Sequence, residues 1–199
     1  EVIEAEEVAD VFPTYNLSYL RNMPPVSWLV DGLLTEHGFS IAYGEPGAGK
    51  SFLAIDLALS IAYGRSWHGS PVKQGAVLYI AGEGVGGLGK RIKAWQQHVG
   101  IEADAPMHVV PMAVHMTEQE DVEKLFRTID SLGQDFSLCV IDTVARSLLG
   151  DENSSSDMGM FVSACNAVQR HINGAVLGIH HAGKDASRGM RGSSAITGA

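Results

Sequence analysis

Residues 44–51 read "GEPGAGKS" and lie between the apolar runs "FSIAY" (39–43) and "FLAIDLALSIAY" (52–63). Three glycines, a lysine and a hydroxyl are a costly way to join two hydrophobic segments unless something must approach the backbone closely. Glycine lets the chain wrap so that consecutive N–H groups point at one anion. A helix beginning at the end of the loop adds the positive end of its dipole to the same point. The spacing Gly44-x-x-x-x-Gly49-Lys50-Ser51, with a strand before it and a helix after it, is the phosphate-binding P-loop pattern. Its phosphate cradle is expected to comprise Gly44, Glu45, Pro46, Gly47, Ala48, Gly49, Lys50, Ser51 and Phe52. Lys50 would reach the β- and γ-phosphates and Ser51 would ligate Mg²⁺. The competing reading, a glycine-rich turn with a chance lysine, explains neither the full spacing nor the context. ATP and Mg²⁺ are therefore the expected cofactors.

Outward from the loop, one unit recurs: apolar strand, turn, amphipathic helix. Strands are expected at 39–43, 76–81, 108–112, 138–142 and 175–180, each short, rich in Val, Ile and Leu and without strict alternation, as for strands covered on both faces. Helical stripes fall at Leu88, Ile92, Trp95 and Val99, stopped by Gly100, and at Phe161, Cys165, Val168 and Ile172, followed by Asn173 and Gly174. A third runs through Val122, Leu125, Phe126, Ile129 and Leu132, with a capping box expected at Thr117 and Glu120 and a stop at Gly133. The alternation predicts an α/β fold, a mostly parallel sheet flanked by helices. Residues 1–27, with the acidic opening "EVIEAEEVAD", read as an arm or linker leading to the domain.

Composition narrows the function classes. The 199 residues are 45% hydrophobic and 19% charged with 23 glycines, ordinary for one globular domain with extra turns. A net charge of −9 argues against a surface coated in basic residues for nucleic acid, while leaving room for a local basic loop. The two cysteines, Cys139 and Cys165, fall in strand-like and helix-like apolar runs and read as buried thiols rather than a disulfide or metal pair. No stretch approaches about 18 consecutive apolar residues and no signal peptide is visible, so a soluble, cytoplasmic chain is expected.

Three further groups carry chemistry. "SLCVIDT" ends a strand in Asp142, which, about 90 residues after the P-loop, suits the metal-supporting Walker B acid better than an ordinary turn or cap residue. "LYIAGEGVGGLGK" (78–90) contains G-x-G-x-x-G at Gly82, Gly84 and Gly87, but a dinucleotide reading would set Glu83 against a pyrophosphate. Glu83 is better read as the base or orienter of an attacking water; the alternative is a solvated turn glutamate. "AVLGIHH" (175–181) ends in His180 and His181, placed to feel the γ-phosphate, although strand-end histidines are often structural. No other Cys or His has zinc-ligand spacing.

Together, GEPGAGKS, the strand-end AGEG, VIDT followed by "ARSLLGDENSSSDM" (145–158), and HHAGKD leading into RGMRGSS resemble the RecA-like ATPase of plasmid RepA-type replicative helicases, relatives of the DnaB hexamers. The resemblance spans roughly Trp28 to the end, so that 28–199 is expected to be the RecA-like P-loop NTPase domain. It implies Lys50 and Ser51 on phosphate and metal, Glu83 as catalytic carboxylate, Asp142 as Walker B acid, and His181 where DnaB-like proteins carry a γ-phosphate-sensing glutamine. It further implies a homo-oligomeric ring, a hexamer, with ATP at the interfaces and single-stranded DNA in the pore. Relatives continue beyond the position of Ala199 into strands that carry an arginine finger. Those strands are expected to be missing from 28–199, and Arg188 and Arg191 are the visible substitutes. Lys184, Arg188 and Arg191, in "GKDASRGMRGSS" (183–194), form the candidate DNA loop or finger, with a local charge of +2 against Asp185. The resemblance leaves open a RecA- or KaiC-like regulatory or recombination ATPase, and composition leaves open a nucleotide-binding assembly module. A small-molecule P-loop kinase lacks a recognisable lid segment.

Overall fold

The structure, a computed structural model, describes Phe12 and residues 14–181. The chain enters through a short helix, α1 (Leu17–Arg21), whose N-cap Asn16 accepts from the Tyr19 N–H and none of whose residues is buried. A small antiparallel hairpin follows, β1 (Trp28–Val30) with β2 (Leu34–Thr35). The body is a five-stranded, all-parallel sheet of β3 (Gly38–Gly44), β4 (Ala76–Ala81), β5 (Met107–Val110), β6 (Phe136–Asp142) and β7 (Ala175–His181). Its order across the sheet is β3-β7-β6-β4-β5. The long connections are α2 (Lys50–Tyr63), α3 (Val85–Val99), α4 (Gln119–Leu132) and α6 (Ser155–Ile172), with a single turn, α5 (Val144–Ser147), after β6.

Pleating divides each strand between two cores. Val77, Tyr79, Leu138, Val140, Leu177 and Ile179 face α2, α3 and the hairpin. Leu78, Ile80, Cys139, Ile141 and Val176 face α4 and α6 on the other side. Successive residues point to opposite faces and both faces are covered, which is why these strands read as continuous apolar runs. Both cysteines are free and buried; burial pushes the Cys139 thiol up to about 12 and Cys165 well above its ordinary value. Neither is a ready nucleophile.

The structure refines several boundaries: β3, β6 and β7 run one or two residues past the expected 39–43, 138–142 and 175–180. β5 stops at Val110, short of the expected residue 112, because Pro111 has no N–H to give a ladder. The capping box of α4 does not form. Glu118 occupies the N-cap without a side-chain bond, and the Thr117 hydroxyl is engaged elsewhere, donating to Leu149 O and accepting from Leu149 N, both at 3.1 Å. The stripe on α6 is as expected: Phe161, Cys165, Val168 and Ile172 are all buried, and the helix is capped by Ser154 and ended by Asn173 in the left-handed conformation.

One polar anchor ties the α2–α3 side together. Asp56, an acid inside the apolar run of α2, accepts from the indole N–H of Trp67 at 2.8 Å and of Trp95 at 2.6 Å, with His68 Nε2 at 3.3 Å. Tyr63 stacks on Trp95 with ring centroids 5.4 Å apart. Hydrogen bonds to a charged acceptor are the stronger kind. Asp56→Ala is expected to lower stability by about 2 kcal/mol and to shift tryptophan emission to the red as both indoles lose their partner. A urea midpoint equal to wild type would show that the anchor contributes nothing.

Candidate nucleotide site

In a parallel sheet every strand finishes at the same edge. Segments far apart in sequence therefore meet there: the 44–51 loop after β3, the Gly82–Gly84 turn after β4, Asp142 at the end of β6 and His181 at the end of β7. β7 runs between β3 and β6, pairing Gly44 with His181, Tyr43 with His180, and Ile179 with Asp142. This lateral order, rather than sequence proximity, builds the site.

The 44–51 loop has the shape its glycines permit. Gly47 (φ 80°) and Gly49 (φ 85°) are left-handed, and α2 begins directly at Lys50. An added Cβ at either glycine would meet nothing within 4 Å, so backbone conformation and not crowding requires glycine there. The Lys50 ammonium curls back onto its own loop and donates to Gly44 O and Glu45 O, both at 2.8 Å. Partial burial lowers its pKa, opposed by the attraction of Asp142. Glu45, Pro46 and Ala48 are exposed along the rim. Phe52, exposed on the first turn of α2, shares a shallow mouth with Tyr43, Ala48 and Leu53 and carries the Arg91 guanidinium 4.6 Å above its ring.

Behind the loop, Ser51 Oγ donates to Asp142 Oδ1 at 3.0 Å and Tyr79 Oη donates to Asp142 Oδ2 at 2.7 Å. Asp142 is only 4% exposed, and Tyr79 is buried with its phenol pKa pushed up, by burial first and then by the neighbouring carboxylate. A hydroxyl and a carboxylate 3.0 Å apart, beside an ammonium and a helix N-terminus, form a donor set that suits a small oxygen-seeking cation bridging to phosphate oxygens. Among the described residues no group of three or more His, Cys, Asp or Glu could hold a metal by itself. A divalent ion here would take Ser51 and Asp142 from the protein and its other ligands from nucleotide and water.

Glu83 is held from the β6 side. Arg146 Nε donates to Glu83 Oε1 at 2.9 Å, and Thr143 Oγ1 lies 3.4 Å from the same oxygen. Gly82 N donates to Asp142 O at 2.7 Å, drawing the two strand ends together. His180 is fully buried, whereas His181 lies at the sheet edge beside Gly44, and its buried Nδ1 has no hydrogen-bond partner among the described residues. Lys184, Arg188 and Arg191 lie outside the described residues. Sequence reasoning missed Tyr79, Thr143 and Arg146. Tyr79 looks like any core residue of "AVLYIA", and Arg146 had only its place four residues after Asp142 to mark it.

A family model described as an AAA domain matches residues 13–187. The chain belongs to the AAA domain family. Its members are P-loop ATPases, and RecA- and DnaB-like helicases are among them. In this AAA domain, the parallel sheet, the flanking helices and the loop at the sheet's carboxyl edge make up the RecA-like P-loop NTPase fold. ATP is the nucleotide such domains take, generally with Mg²⁺. No curated protein matches the sequence significantly. No helix among the described residues is long and apolar enough to cross a membrane.

Proposed function

We propose that this AAA domain is the ATP-driven motor of a replicative-helicase-type protein, moving along single-stranded DNA as part of a hexameric ring. Lys50 leaves its loop carbonyls to neutralise the β- and γ-phosphates. Ser51 and Asp142 would hold Mg²⁺, which would supply positive charge against the phosphoryl oxygens. Glu83 orients the attacking water and accepts its proton, and His181 responds to the γ-phosphate.

The observation that carries this reading is the place of β7. Its end, His181, lies beside the first residue of the P-loop, and the next residues in sequence are the basic stretch 183–194. A change at the phosphate is thus one strand end away from the segment proposed to touch DNA. Six copies converging in a ring turn a local charge of +2 into a substantial field on a chain whose net charge is −9. A regulatory or recombination ATPase of the same fold would share the site but not the unwinding.

Arg188→Ala combined with Arg191→Ala is expected to weaken single-stranded DNA binding and to flatten its salt dependence by about 0.7 in log–log slope for each DNA phosphate no longer engaged. DNA-stimulated ATP turnover and unwinding of a forked duplex, measured alongside, separate a motor from an ATPase that only assembles. If basal hydrolysis collapses while DNA affinity holds, one of these arginines acts as a finger on the phosphates and DNA is bound elsewhere.

A further inference from the structure

We infer that Arg146 is the residue that positions Glu83 for catalysis, an inference that rests on the assignment of Glu83 to the attacking water. The two residues are 63 apart in sequence and meet only through the fold. Arg146 Nε and Thr143 Oγ1 both approach Oε1 of the carboxylate, at 2.9 and 3.4 Å, and among the described residues Oε2 takes no hydrogen bond. One oxygen is tethered and the other is presented. That is the arrangement an orienting base requires, because a free carboxylate on a glycine-flanked turn would sample many directions.

The tether is itself held in place. Arg146 sits in α5, whose first turn is closed by the bonds of Arg146 N and Ser147 N to Thr143 O, each 3.1 Å. The far end is fastened to the segment after β5 by Met116 N donating to Ser147 O at 2.8 Å and by the paired hydrogen bonds between Thr117 and Leu149. The near end lies tight against the Glu83 turn. A Cβ on Gly82 would stand 2.9 Å from Cβ of Arg146 and 3.3 Å from Asp142 O, so only glycine lets the two strand exits close together. The Arg146 and Glu83 side chains are 64% and 41% exposed. An ion pair in that much solvent adds little to stability, and its value is directional.

The test is a double-mutant cycle on the full chain, with kcat and KM for ATP measured for Arg146→Gln, Arg146→Lys, Glu83→Gln and the Arg146→Gln/Glu83→Gln pair. Arg146→Gln is expected to lower kcat by about tenfold or more, toward the hundredfold that an ångström of misplacement costs, with KM and the thermal midpoint unchanged. Arg146→Lys should recover part of the loss. In the Glu83→Gln background Arg146→Gln should cost nothing further, because there is no base left to orient. Three outcomes would each overturn the inference: an equal loss in both backgrounds, an unchanged kcat with or without a rise in KM, or a Glu83→Gln variant as active as wild type. The last alone would also remove Glu83 from the proposed mechanism. The first would place Arg146 on the phosphates themselves.

Discussion

Lys50→Ala is expected to reduce ATP turnover to background. The P-loop supplies two kinds of positive potential, backbone N–H groups at the start of α2 and the one ammonium of the motif. The substitution keeps the first and deletes the second. Charge that builds on the β- and γ-oxygens during transfer then loses the ammonium of the motif, and a loss of stabilisation there acts exponentially on rate. No substitute is close along the chain. The next lysine, Lys73, is paired with Glu36 at 2.9 Å on the hairpin side. Among the described residues Lys50 bonds only to carbonyls of its own loop, so its removal should leave the melting transition nearly where it was. Phosphate release at saturating ATP checks the expectation, and near-wild-type turnover would sink the phosphate assignment of the whole loop.

Glu83→Gln is expected to keep ATP binding and to lower turnover by two to four decades, about the contribution of a positioned general base. Glutamine preserves shape and still accepts a hydrogen bond from Arg146 through its amide oxygen, so the turn should hold. What disappears is the capacity to take a proton. Nucleotide binding measured by fluorescence, beside single-turnover hydrolysis, distinguishes the two. If the rate were unchanged, or if Asp142→Asn alone abolished it with ATP still bound, the base would have to be sought elsewhere along the sheet edge.

The parts of this molecule that were legible in the sequence are those specified locally. Strand 76–81 and the stops at Gly100, Gly133 and Asn173 stand where apolar runs and left-handed residues put them. The loop at 44–51 and the strand-end place of Asp142 were legible because each is written in a short local pattern, and the fold brings them together in the bond from Ser51 to an aspartate 91 residues away. What could not be read depends on partners that only tertiary structure supplies. Thr117 has the local pattern of a capping box, yet its hydroxyl is taken by the backbone of Leu149, 32 residues on. Arg146 carries no local sign of Glu83. Asp56 did carry a sign, an acid amid the apolar face of "FLAIDLALS", but nothing in sequence says that two indoles will converge on it.

β7 is paired with β3 from Ala175 to His181 on one side and with β6 from Ala175 to Ile179 on the other. A strand gripped by two ladders cannot slide along its axis without breaking both, so it behaves as a rail fixed between the phosphate strand and the metal strand. Play in the sheet is confined to where the rail ends. Gly44 and His181 share one rung of the ladder, so a displacement of Gly44 reaches His181 with no compliant element between them. Gearing of that kind carries direction as well as timing from the loop to the strand end.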